Sequence, residues 1–530
     1  MAGQTAHLGV GFEDPEVSLA RQDTWSAHLA RHAENKPDQP ALTYGSRVQS
    51  WRQTRERVEA LADALHRRGV GPGDRVMVLM LNRPEYIESA LAITTLGAIV
   101  VTVNFRLTPA EMEYQAADCG AVAVITEKAL QPLATAVSAT VPELSLVIVL
   151  NGEKNSGVVD YDELIAEEGD SHPPAPVTAE TPAVIMYTSG TTGRPKGAVL
   201  SHGNLLSQCV TVLRAAKERR DDNVAMSVPP MFHVAGLLGV AGSMFAGTPT
   251  VIYDAGSFDP GALLDQLAAE KVTSIFLVPA MWQAVCAEQQ RQPREVVLRT
   301  MSWGAAPATP ALLRTMAQTF PDAETVAAFG QTEMSPVTCL LLGDDAIRKI
   351  GSIGKPVPAI SYRVVDPLME DVPIGEVGEI VYRGPNMMLG YWNKPEETKK
   401  AFAGGWFHSG DLVRQDEEGF LWVVDRSKDM IITGGENVYS AEVEAAVAEH
   451  DAIIDVAVYG IPDDKWGEAV VAAVVVRPDA PRPTVDELRE FLGDKLARYK
   501  QPTVLRWLEE LPRNTSGKVL KTTLRTSERP

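Results

Sequence analysis

Short continuous apolar runs alternate along the chain with longer segments in which apolar residues return at helical spacing. Between Trp51 and Arg67, Val58, Leu61, Ala62 and Leu65 recur every three or four positions and Gly69 closes the run, which predicts an amphipathic helix. Strand-like runs follow at 75–80, 122–126 and 146–150, and a second helix starts near Pro84. Unbroken apolar strands separated by helices are the pattern of a mostly parallel sheet covered on both faces, because such strands are buried on both sides. The first ~170 residues therefore predict one doubly wound layer of ordinary size.

A second round begins at 183–186 and 198–200, two apolar runs flanking a polar loop, and continues through 224–228, 250–253, 273–277 and 299–303. Helices such as 259–270 separate these runs; Asp259 can cap that helix and Pro260 suits its first position. After Gly351 the texture changes to short β runs, 362–365 and 379–382, between Gly/Pro turns, which predicts a small β-rich subdomain. A charged cluster at 425–429 precedes a compact stretch of ~100 residues, a common size for an independent domain. Within it, Ser440 with Glu442 and Glu444, and Thr484 with Glu487, mark helix starts, and 456–459 and 469–476 supply strands. The fold expected is α/β: a large N-terminal domain, residues 1–427, of two doubly wound sheets plus the β-rich subdomain, then a small C-terminal α+β domain, residues 428–530.

Length supports that division, since 530 residues exceed what one core accommodates. Charge narrows the partners: 49 basic against 69 acidic residues give −20, with no lysine-rich stripe, so nucleic acid is not expected. Cys119, Cys209, Cys286 and Cys339 form no C-x-x-C pair, and the nine histidines lack metal spacing. A reduced, cytoplasmic setting fits these cysteines, and the acidic residues Glu13, Asp14 and Glu16 speak against a secretory segment at the amino terminus. The apolar runs 91–103 and 234–246 fall short of the ~20 residues a membrane span needs and read as buried core.

The polar loop is Tyr187-Thr188-Ser189-Gly190-Thr191-Thr192-Gly193-Arg194-Pro195-Lys196-Gly197. Its glycines free backbone N–H groups to turn toward an anion, while hydroxyls and two cations add donors, so it reads as a phosphate cradle. Neither the Walker spacing nor G-x-G-x-x-G is present. The stretch resembles the signature of the adenylate-forming superfamily, which includes acyl-CoA synthetases, luciferases and peptide-synthetase adenylation domains, and the resemblance runs from about Thr24 to Lys521. It implies ATP, Mg2+ and CoA as cofactor and co-substrates and a small carboxylic acid as substrate. It also implies that the polyanions ATP and CoA are held by local cations and backbone donors against an adverse overall charge.

Residue by residue, the resemblance implies that the loop, from Thr188 through Lys196, holds the phosphates of ATP. Gly304-Ala305-Ala306-Pro307 and Ala328-Phe329-Gly330-Gln331-Thr332-Glu333 would line the nucleotide, with Glu333 and Thr188 near the magnesium ion. Ala305 stands where the family more often has Gly, and Phe329 where it usually has Tyr; a buried strand end accounts equally well for both segments on pattern alone. Asp411, in Trp406-Phe407-His408-Ser409-Gly410-Asp411, would accept from the ribose diol, assisted by Arg426. Lys518, in Pro512-Arg513-Asn514-Thr515-Ser516-Gly517-Lys518, would bridge substrate carboxylate and α-phosphate. Lys428 stands at the family's hinge, so the small domain is expected to be mobile, and Gly434, Gly435 and Glu436 would line a pantetheine tunnel, with Trp466 packing on CoA. A plain turn and a structural Trp are the competing accounts of those last residues. His233, at the end of Pro229-Pro230-Met231-Phe232-His233, would face the carboxylate, with Val234, Trp303 and Met334 in an apolar acid pocket that offers no cation.

The reading expected is an ATP-dependent acid-CoA ligase, similar to bacterial fatty-acid-CoA ligases and acting on medium or long-chain acids. An aromatic-acid ligase shares every motif named, and a ligase feeding acyl-adenylate to a carrier protein is the nearest enzymatic rival. A non-catalytic nucleotide-binding protein on the same fold is the rival of another class, and a homodimer is compatible with the sequence.

Overall fold

A computed structural model of the chain describes residues 21–526 apart from 153–156, 173–174, 176, 189–193, 216–221, 255, 257, 307, 435, 464, 494 and 514–516. Two large sheets dominate it. The first has eight strands in the order Gly390–Tyr391, Lys196–Ser201, Pro182–Thr188, Ile99–Thr102, Arg75–Leu79, Ala123–Glu127, Leu146–Leu150 and Val159–Asp160. Its strands from Pro182–Thr188 through Val159–Asp160 pair in parallel. Along Arg75–Leu79, Val76 and Val78 pack into one buried cluster and Met77 and Leu79 into another, so both faces are covered, as unbroken apolar runs require.

The second sheet has nine strands, from Lys355–Pro356 through Val337–Leu342, Glu324–Gly330, Thr300–Gly304, Ser274–Leu277, Ala225–Ser227 and Thr250–Ile252 to Pro40–Tyr44 and Arg47–Ser50. Its membership departs from the expected succession of rounds in two places. The early hairpin Pro40–Tyr44/Arg47–Ser50 leaves the first layer and pairs in parallel with Thr250–Ile252. Conversely, Pro182–Thr188 and Lys196–Ser201 belong to the first sheet, because Ile185 completes one of its cores while Val184 and Met186 complete the other. Local pattern identifies a strand; long-range packing chooses its sheet.

The β-rich subdomain is a four-stranded antiparallel sheet, Ser361–Val365, Val377–Arg383, Phe407–Gln415 and Leu421–Arg426. The small domain is a five-stranded sheet built around Gly467–Val476 and Ile453–Asp463, with helices Ser440–Ala448 and Val485–Leu492. Asp259 and Thr484 cap their helices as expected, Thr484 through a capping box with Glu487. Ser440 does not: it lies inside its helix as the first residue, and its hydroxyl donates to Asp425, 3.1 Å away on the last strand of the large domain. Among the described residues no helix is long and apolar enough to cross a membrane.

Candidate active site

Thr188 and Lys196 face each other across the antiparallel pair Pro182–Thr188/Lys196–Ser201, the two strands that the glycine-rich loop joins in sequence. Tyr187 anchors the first of these strands by donating its hydroxyl to Asp118 at 2.8 Å, and Lys394 reaches the other oxygen of the same carboxylate at 2.8 Å. Ser189, Gly190, Thr191, Thr192 and Gly193 lie outside the described residues, as do Pro307 and Gly435. The Thr188 hydroxyl donates to Glu333 Oε1 at 3.1 Å, and Tyr391 donates to the same oxygen at 3.0 Å while its ring lies 5.1 Å beneath Lys196 Nζ. Tyr391 carries no motif signal; only the fold brings it to Glu333.

Glu333 and Thr188 are hard oxygen donors of the kind magnesium takes. Among the described residues no three His, Cys, Asp or Glu side chains converge as a metal cluster, so phosphate oxygens and water would complete the shell.

Two glycines beside this pair are required by close approach of backbone. A Cβ on Gly304 would lie 2.5 Å from Ala328 O, and one on Gly330 1.8 Å from Pro336 O. Ala305 sits at φ +66°, the left-handed region, which explains why Gly is the more frequent residue there and shows the backbone bearing strain rather than a displaced loop. Thr332 opens the short turn that presents Glu333, and Phe329 packs its half-buried ring against the first core.

Asp411 is 1% exposed and pairs across the sheet with Arg426, whose Nε lies 2.6 Å from Oδ1. That contact lacks hydrogen-bond geometry, and neither carboxylate oxygen has a hydrogen-bond partner among the described residues. Burial holds its pKa up to about 6, opposed by the charges of Arg426 and Lys518. A buried double acceptor with capacity to spare fits a vicinal diol.

Lys518 keeps an exposed face, yet burial lowers its pKa, and so do Arg426 and Lys428, while Asp411 and Glu333 raise it. The ammonium group therefore shares one electrostatic environment with the residues expected at ribose and at magnesium. It is also felt at His233, which burial pushes down to about 4 with help from Lys518 and Arg106. At neutral pH His233 is uncharged. Its ring stacks on Phe232 at 4.2 Å, just ahead of helix Val234–Ala246. The segment is fixed by Asn82, which donates to Val228 O and Pro229 O at 3.1 and 3.0 Å and accepts from Met231 N at 2.8 Å.

The acid pocket expected from sequence needs two corrections. Trp303 packs into the core on the helical face of the nine-stranded sheet with Leu277 and Trp282, since strand alternation turns Ser302 and Gly304 to the opposite face. Phe276 shares that opposite face, 3.1 Å from where a Gly304 Cβ would lie. Met334 is fully buried in the first core and offers substrate no surface, whereas Val234 is half-buried. Sequence also passed over Arg106, whose charge adds to the lowering of the His233 pKa. Arg106 follows strand Ile99–Thr102 at its carboxyl end, where ligands of parallel sheets gather, and that position was its available signal.

The residues expected around CoA stay within the small domain. Gly434, at φ +61°, donates its N–H to Trp466 O at 2.7 Å, Trp466 is 52% exposed, and Glu436 and Lys428 are exposed. None of the described contacts of Gly434, Glu436 or Trp466 reaches Glu333 or Asp411.

Two large covered sheets, and a smaller domain whose Lys518 is coupled electrostatically to Asp411 and Glu333, are the architecture of an adenylate-forming enzyme. The chain belongs to the AMP-binding enzyme family: residues 29–392 match its main model and 442–518 the AMP-binding enzyme C-terminal domain. It is 39% identical over 495 residues to a feruloyl-CoA synthase of an Amycolatopsis species, covering 93% of this chain and 96% of that protein. It is 36% identical over 503 residues to the indoleacetate-CoA ligase of Aromatoleum aromaticum, covering 94% and 97%. Among solved structures it is similar to o-succinylbenzoate-CoA synthetase of Bacillus subtilis with its acyl-adenylate (TM-score 0.84, 29% identity, 95% and 98% covered). It is similar too to a fatty acyl-CoA synthetase of Mycobacterium tuberculosis (TM-score 0.77, 31% identity, 96% and 98% covered). The chain is thus an acid-thiol ligase using ATP, Mg2+ and CoA.

Proposed function

We propose that this ligase activates an aryl-substituted carboxylic acid. The observation that carries the reading is the similarity, across more than nine-tenths of the chain, to relatives named for feruloyl and indoleacetate thioesters. The site supports it: Phe276 stands beside the small residues Ser302 and Gly304 on the face opposite the core, a surface suited to a flat ring. A medium or long-chain fatty acid is the second reading, favoured by the fatty acyl-CoA synthetase among similar structures.

In either case the chemistry is the same. A carboxylate oxygen bonds to the α-phosphorus as the bond to pyrophosphate breaks; the thiol of CoA then bonds to the acyl carbon as AMP leaves. Lys518 offsets repulsion between carboxylate and phosphate, Asp411 fixes the ribose, Glu333 and Thr188 would hold the magnesium ion, and His233, being neutral, donates an N–H to the acid without competing for a proton. Magnesium supplies charge neutralisation on the phosphates. Loss of one positioned charge typically lowers rate about 10² to 10³-fold, which is the expected effect of Lys518→Ala on pyrophosphate release.

The test is kcat/KM over a panel holding ferulate, indoleacetate, benzoate, octanoate and palmitate, with CoA as acceptor. An aryl acid should lead by tenfold or more. If octanoate or palmitate leads, the second reading replaces the first.

A further inference from the structure

We infer that Asp425 is a positioning residue for adenylation, acting through Ser440 and Lys521 to set the hairpin that carries Lys518. The inference rests on the proposed role of Lys518 in that step. Asp425 is the next-to-last residue of strand Leu421–Arg426 and is 5% exposed. One carboxylate oxygen accepts from Ser440 N, and the other accepts from Ser440 Oγ at 3.1 Å. Ser440 Oγ in turn accepts from Lys521 Nζ at 2.8 Å, and Lys521 pairs with Glu444 at 2.8 Å.

The small domain's helix Ser440–Ala448 has no cap of its own, since Tyr439 precedes it without a side-chain acceptor. Asp425 supplies that cap from the other domain, placing a carboxylate where helix N–H groups and the dipole favour an anion. Lys521 lies three residues beyond Lys518, as the first residue of helix Lys521–Thr526 that follows the hairpin. The hairpin's other leg is fixed where Arg513 pairs with Asp455 at 2.6 Å and donates to Gly517 O at 2.8 Å, with Leu520 N bonded to Pro512 O at 2.7 Å. Both ends of the hairpin are therefore tied within the small domain, the second of them to Ser440, the residue through which the large domain's Asp425 reaches it. Asp425 precedes Lys428, and Ser440 and Lys521 follow it. Any turn of the small domain about Lys428 separates the cap from its helix, so this contact belongs to the orientation that presents Lys518 to Glu333 and Asp411.

The experiment measures two half-reactions for the full-length enzyme: ATP–pyrophosphate exchange, and thioester formation from supplied acyl-adenylate and CoA. Asp425→Ala and Lys521→Gln should each lower exchange about tenfold, the scale of a lost cap, while thioester formation stays within twofold or rises. Asp425→Asn, which keeps the acceptor, should recover most of the exchange. A structural role would depress both half-reactions together, and that result in both variants overturns the inference, as does unchanged exchange in both. If Asp425→Ala does not fold, Lys521→Gln carries the same test. Lys518→Ala separates the two levels of the argument. Intact exchange in that variant removes the role of Lys518 and this inference with it; abolished exchange there, with normal exchange in the other variants, removes this inference alone.

Discussion

The carboxyl group of Asp411 is held up to about 6 by burial, well above the ~3.9 of an unfolded chain. The folded protein therefore binds the extra proton between about pH 4 and pH 6. Its stabilising contribution is complete below the lower value and disappears as pH rises through the upper one, an effect of roughly 2 to 3 kcal/mol. Asp411→Asn should consequently raise the thermal midpoint at pH 8 and leave it nearly unchanged at pH 4. The same variant should weaken ATP binding tenfold or more, because hydrogen bonds to a charged acceptor exceed those to a neutral one. Melting curves at the two pH values with ATP titration check both halves; a lower midpoint at pH 8 refutes the first. Ala305, at φ +66°, makes a second prediction: Ala305→Gly should raise the unfolding free energy by up to about 1 kcal/mol, read as a higher denaturant midpoint at unchanged slope, whereas Ala306→Gly should not. At this scale the sequence singled out Thr188, Lys196, Glu333, Asp411, Arg426 and Lys518 because their motifs are local. It misplaced Trp303 because alternation along one strand does not say which face meets substrate, and it passed over Tyr391 and Asn82 because they act across long sequence separations.

Elements were legible in kind and less so in partnership. Both helices with self-sufficient caps, at Asp259 and Thr484, begin where their sequences say, whereas the Ser440 helix takes its acceptor from another domain, which no local pattern reveals. Gly434, expected to line a pantetheine tunnel, lies between strands Ile431–Thr433 and Glu436–Val438, and the indole ring of Trp466 is 3.1 Å from where a Gly434 Cβ would lie. Because Trp466 is half exposed, Trp466→Ala should leave folding and pyrophosphate release intact. If the ring packs on CoA, the KM for CoA should rise several-fold. Steady-state kinetics with varied CoA, beside a pyrophosphate assay, decides it; an unchanged KM leaves Trp466 a surface residue packed on Gly434.

For the molecule as a whole, the division expected from sequence at residues 427–428 predicts where a protease enters. Ser427 and Lys428 are exposed between the last large-domain strand and the small domain's sheet, and exposed connectors are the preferred nicking sites. Limited trypsin digestion should release a stable large fragment ending near Lys428, at a rate changed by ATP with acid; cutting confined to the first 400 residues refutes the boundary. The hairpin Pro40–Tyr44/Arg47–Ser50 has a bearing on how the chain is made. It emerges from the ribosome early but pairs with Thr250–Ile252, about two hundred residues and, at 5–20 residues per second, roughly 10–40 s later. The first sheet in turn waits for Gly390–Tyr391 at its edge. Until then Ala41, Leu42 and Trp51, all buried in the finished protein, have no permanent cover. Neither lobe of the large domain can mature on the ribosome by itself, and a nascent chain of this length needs shielding until the second half arrives.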